Sequence, residues 1–259
     1  MTDALVYGLV AGIAVGLAAG YIGSLMVLKR MALVGDALSH VALPGLAIGL
    51  LLGFNPFLGA FAFLFAAAVV TWYIEWSTKL SVESIVGVLF VLALAVGILI
   101  TPQPDLLEAL FGDITSVTLL YAVAAVAVSV PVVLLTRLIY TKVVLSLISD
   151  ELAKSTGVRV AQVNLLYLLL VAVVVAAGIQ IVGSILVGAL VIVPAAAMKN
   201  VSSNLTRYAL LSGLTGIATV SVGVLVSAGL GLPAGPLVVV VGFVIFLAAL
   251  VARRVAGVL

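Results

Sequence analysis

Runs of about twenty apolar residues recur along this chain, and that recurrence limits the fold more than any other feature. A helix needs roughly 17–25 such residues to cross the hydrocarbon core of a bilayer. Nine segments meet that length: 4–28, 31–53, 56–76, 84–101, 117–139, 162–180, 182–198, 208–230 and 235–252. The sixth and seventh almost touch around Ile179 to Ser184, so eight spans with one re-entrant segment is the other arrangement open to the chain. Only 8% of the 259 residues are charged, against about 25% in a soluble domain. A soluble enzyme, a nucleic-acid binder and a disordered tail are excluded. The pattern predicts an all-α integral membrane protein, with residues 1–259 forming a single transmembrane domain.

The few charges orient it. Basic residues collect on the cytoplasmic ends of spans. Lys29 and Arg30 follow the first run, Lys79 the third, and Arg137, Lys142, Lys154 and Arg159 lie around the segment after the fifth. Lys199 and Arg207 follow the seventh, and Arg253 and Arg254 close the ninth. Nine spans with the N-terminus outside and the C-terminus cytoplasmic place all eleven basic residues inside. Asp3, Asp105, Glu108 and Asp113 then fall outside. No basic residue precedes the first run, which is longer than the apolar part of a signal peptide, so that run is expected to be retained as a helix. Glu75 and Glu83, beside Lys79, are expected to be solvated.

Two connections are long. The outer one, TPQPDLLEALFGDITS at Thr101 to Ser116, is acidic and suited to attracting cations or a basic partner, or simply to being solvated. The inner one, at 140–161, contains a short helix signature: Ser149 as N-cap, Asp150 and Glu151 in the first turn, Gly157 just past the end. Within the spans, Gly8, Gly12, Gly16 and Gly20 repeat every four residues and form a smooth stripe for close helix approach. Pro44, Pro131 and Pro194 lie inside spans and predict kinks or breaks.

One span carries chemistry. In GDALSHVALPGLAIGL, residues 35–50, Asp36 and His40 are four apart and share a helical face. A carboxylate in a bilayer costs at least about 2.5–3.5 kcal/mol on insertion scales, so it is expected to be paired or functional. A carboxylate oxygen with an imidazole nitrogen suits Mn²⁺, Fe²⁺ or Zn²⁺. Two ligands hold an ion weakly, and a two-fold dimer would double them. Weak coordination fits a pathway, because the ion must leave again. The plainer alternatives are an internal Asp36–His40 pair anchored by Ser39, or an ion pair between Asp36 and Arg30. Intramembrane proteolysis is disfavoured: Ser39 and His40 are adjacent and point about 100° apart, there is no Gly-x-Ser-x-Gly turn, and no second intramembrane Asp is present. There is no cysteine, so thiolate chemistry is excluded.

These residues resemble the membrane permeases of the manganese/zinc/iron class of ATP-binding cassette importers. The similarity rests on the run at 35–50, on LFGDI at Leu110 to Ile114, and on DELAKSTGV at Asp150 to Val158. IQIVGSILVGALVIVPAAAM at Ile179 to Met198 and LPAGP at Leu232 to Pro236 complete it. The resemblance implies a homodimeric, multi-pass plasma-membrane permease that takes a divalent ion from an extracytoplasmic solute-binding protein. Two cytoplasmic ATPase subunits would drive it, since the chain has no phosphate-binding Gly-x-x-x-x-Gly-Lys-Ser/Thr loop. It implies Asp36 and His40 on the metal path, with Ser39 and Pro194 beside it, and an ATPase-coupling segment using Asp150, Glu151, Ala153 and Gly157. No permanent cofactor is implied; the ion is cargo. Pro194 to Met198 lacks the threonine that relatives often carry there, so the choice of metal does not follow. The competing readings are a permease of the same class for a siderophore or corrinoid chelate, and a stand-alone secondary transporter in which Asp36 or His40 carries protons.

Overall fold

In a computed structural model, residues 2–78, 80–100, 117–184, 186–199 and 201–255 are described. The acidic loop with Asp105, Glu108 and Asp113 lies outside them. The helices are α1 (Thr2–Leu28), α2 (Ala32–Leu52), α3 (Pro56–Ser77), α4 (Val82–Ile100), α5 (Leu119–Ile148), α6 (Asp150–Ser155), α7 (Val160–Val182), α8 (Val187–Lys199), α9 (Leu205–Leu230) and α10 (Ala234–Val255). There is no strand among the described residues. Eight of these helices are long and apolar enough to cross a membrane. The segment expected as a seventh span is instead the 13-residue α8, about 20 Å long at 1.5 Å per residue.

Small residues decide which helices sit at the centre. α1 packs against α9, α5, α8 and α7, and α2 against α3, α4, α8 and α7. The glycine stripe of α1 is the reason α9 comes so close. A Cβ at Gly16 would lie 2.7 Å from the Gly216 carbonyl oxygen, and one at Gly20 would overlap that of Ser212. No side chain fits there, so the two backbones touch as in small-residue membrane seams. α4 is the opposite case: Val88, Val91, Leu92 and Leu99 are all exposed, as expected of a surface that meets lipid tails.

The prolines do not break their helices. α2, α5 and α8 each run continuously through Pro44, Pro131 and Pro194. The interruption comes at Gly183, which takes φ +81° and ψ 166°, a region that residues with a Cβ avoid. Residues Gly183 and Ser184 are buried, which satisfies the rule that irregular backbone at membrane depth must be enclosed by protein.

Candidate functional site

α2 begins immediately after α1. Lys29 N donates to Leu25 O at 2.8 Å, Met31 N donates to Met26 O at 2.9 Å, and Arg30 takes φ +60°. This tight turn puts Asp36 in the second turn of α2 and His40 one turn further on. Both side chains are half-buried. Among the described residues, no hydrogen bond or ion pair links Asp36 to His40 or to Arg30, which is exposed. Both plain pairing alternatives are therefore absent from the structure.

Asp36 has a neighbour the sequence did not announce. A Cβ built on Gly188 would lie 2.7 Å from the Asp36 Cβ and 2.8 Å from its Oδ1. The aspartate thus occupies the room left by a missing side chain on α8. Ser39 secures the same contact from one turn along. Its hydroxyl lies 2.6 Å from the carbonyl oxygen of Asp36 and 2.5 Å from that of Ser184. Because the Ser184 carbonyl belongs to the interrupted segment, Ser39 ties α2 to the α7–α8 junction. Pro194 is buried in α8, six residues and about 9 Å beyond Gly188.

His40 faces α4. Its ring stands edge-on to Phe90 with centroids 5.2 Å apart. Seven residues on, Gly97 admits Leu43 and Pro44: a Cβ there would meet the Leu43 Cβ at 3.0 Å. His40 Nδ1 is buried without a hydrogen-bond partner, as are Ser184 Oγ and Gln180 Oε1. Pro44 has no N–H, so the carbonyl of His40 also lacks the donor a helix would normally supply four residues on. Unsatisfied buried polar groups cost free energy unless something else meets them. No set of three or more His, Asp or Glu residues converges among the described residues, so Asp36 and His40 have no third such side chain beside them there.

The cytoplasm-type segment forms as a separate site. Ser149 Oγ accepts from Leu152 N at 3.2 Å and caps α6. Asp150 and Glu151 are exposed, Ala153 is fully buried, and Gly157 ends the turn at φ +80° with open space around it. Glu75 departs from expectation. It is half-buried and, with Trp72, Trp76, Asp150, Lys154 and Asn164, lines a cleft of about 270 Å³. Sequence reading missed it because its partners come from helices far apart in the chain. Glu83 is exposed, as expected.

Eight helices long and apolar enough to cross a membrane, packed around the half-buried Asp36 and His40, define an integral membrane protein of many spans. The match to known sequences makes this specific: residues 1–253 fit the model of the ABC 3 transport family, and the chain belongs to that family. It is 32% identical over 243 residues to the manganese import system permease protein ScaB of Streptococcus parasanguinis, covering 92% of this chain and 87% of the relative. It is 28% identical over 266 residues to the high-affinity zinc uptake system membrane protein ZnuB of Haemophilus influenzae, covering 98% and 99%. Among solved structures it resembles PsaBC from Streptococcus pneumoniae in complex with Fab, with a TM-score of 0.81 and 29% identity over 93% of this chain and 89% of that one.

Proposed function

We propose that this chain is the permease subunit of an ATP-driven plasma-membrane importer for a bare divalent metal ion, manganese or zinc foremost. The observation that carries the reading is the Asp36–His40 face of α2: two metal-competent side chains with no hydrogen bond between them, His40 Nδ1 buried without a partner, beside the enclosed break at Gly183. Relatives bearing the names of manganese and zinc uptake proteins support it. A chelate carrier would need a wide path with few charges, and a tight Asp36–Gly188 contact favours a small ion.

Sidedness follows from charge. α8 is about 20 Å long, and the turn before it, in which Val187 N donates to Gly183 O at 3.2 Å, lengthens it by a few ångströms toward the roughly 30 Å of a bilayer core. Residues 183–199 then complete a ninth crossing, with the N-terminus outside and every basic residue inside. The negative charge of Asp105, Glu108 and Asp113 in the outer loop would attract the cation and its extracytoplasmic carrier protein. α6, with Asp150, Glu151, Ala153 and Gly157, docks on a separate ATPase chain. A two-fold dimer supplies a second Asp36 and His40 along the path.

The test is uptake of radiolabelled Mn²⁺ or Zn²⁺ by vesicles holding this chain, with and without its ATPase and metal-binding partners. The importer predicts uptake that needs ATP and both partners and survives collapse of the proton gradient. Uptake by the chain alone, abolished by a protonophore, would instead make it a secondary transporter. A complete assembly that takes up a metal chelate and neither bare ion would make it a chelate permease.

A further inference from the structure

A lysine ammonium at the turn that starts α2 is anchored on α7, beside the cleft that α6 helps to line. Lys29 follows the last residue of α1, and its Nζ donates to Asn164 Oδ1 on α7 at 3.1 Å. The same nitrogen stands 4.8 Å from the centre of the Tyr167 ring, which is fully buried. Such a position suits a cation, because the face of an aromatic ring carries partial negative charge. Two carboxylates act on it: Glu75 from the last turns of α3, and Asp150 from the first residue of α6. Burial pushes the Lys29 ammonium below the ordinary lysine range, and these two acids hold it up. Both acids line the cleft between α3, α6 and α7. Its wall is pinned by Trp72, whose Nε1 donates to the Ala161 carbonyl at 2.7 Å.

The other side of Lys29 leads directly to the candidate metal site. Only Arg30 and Met31 separate it from α2, and their conformation is fixed by the hydrogen bonds to Val27 and Met26. Asp36 is seven residues on.

We propose that Lys29 is a positioning residue that links movement of α6 to the Asp36–His40 helix, with Asp150 and Glu75 as its electrostatic hold. The proposal rests on the ATP-driven permease reading. A desolvated ammonium is costly once its counter-charges withdraw. When an ATPase draws α6 and Asp150 away, Lys29 must follow or lose that partner, and the short turn carries its displacement into α2. A neutral side chain of similar length would fill the space without following.

The experiment measures metal ions taken up per ATP hydrolysed in the full assembly of permease, ATPase and metal-binding protein, in vesicles with Mn²⁺. For Lys29→Met the ratio should fall about tenfold or more, within the usual range of coupling between sites, while hydrolysis continues. Lys29→Arg should restore most of it, because charge rather than shape is required. Asp150→Asn should lower the ratio in the same direction, and combining it with Lys29→Met should add little. A wild-type ratio in Lys29→Met would overturn the proposal. Should that variant fail to insert, Asp150→Asn decides alone, since Asp150 is exposed and its isosteric change leaves packing intact; an unchanged ratio there overturns the proposal equally. Failure of the permease reading looks different: the wild-type assembly itself would hydrolyse ATP without taking up metal.

Discussion

The middle of α2 and the lower end of α1 both place charged groups in a mostly apolar bundle, yet they treat them oppositely. At Lys29 the ammonium has an amide acceptor, an aromatic face and two carboxylates around it. At Asp36 and His40 the two side chains share a helix face without bonding each other, and nearby polar atoms of His40, Ser184 and Gln180 have no partner. A satisfied site holds its geometry, and an unsatisfied one is poised for a visitor. The contrast separates a part that transmits force from a part that contacts cargo.

The strongest way to break this contrast is at the ligands. Asp36→Asn and His40→Ala should bring ATP-driven metal uptake to background while membrane insertion and assembly, read by expression and gel filtration, stay normal. A loss of folding instead would make the pair structural. Next comes the cradle. Gly188→Ala puts a methyl 2.7 Å from the Asp36 Cβ and should cut uptake roughly ten- to a hundredfold, as displaced support of a metal ligand usually does. Normal uptake would show that Asp36 need not sit there. Glu151→Lys tests the other region. It reverses an exposed charge on α6 and should lower uptake severalfold while ATP turnover persists, and full coupling would remove α6 from the ATPase contact. The smallest effect belongs to Ser39→Ala, which frees the Ser184 carbonyl and should cost about 1 kcal/mol, visible as a slightly lower melting temperature with uptake only modestly reduced.

Much of this was legible in local sequence. The apolar run lengths locate eight of the long helices, and the cap at Ser149 with Gly157 beyond it marks α6 to within a residue. The i, i+4 spacing of Asp36 and His40 puts them on one face without any tertiary information. No break appears at the prolines, because their local cost is read easily while the surroundings that absorb it are not; α2 continues through Pro44, which packs near Gly97 of α4. The actual interruption needed a positive φ at Gly183, and a glycine in a run full of glycines carries no mark of which one will break. Gly188 and the Glu75–Lys29–Asn164 cluster were invisible for a related reason. Their meaning lies in partners 46 to 152 positions away, and one chain's sequence holds no record of such pairings.

The central claim is that the ion touches His40, and the chain's single histidine makes this directly measurable. The permease alone is labelled with ¹⁵N-histidine, assembled with its unlabelled ATPase, loaded with Mn²⁺ and examined by pulsed electron paramagnetic resonance. The account predicts a ¹⁵N hyperfine coupling from one directly bound imidazole nitrogen, lost in His40→Ala. Mn²⁺ held by the assembly with no ¹⁵N coupling, under conditions where it is transported, would contradict it.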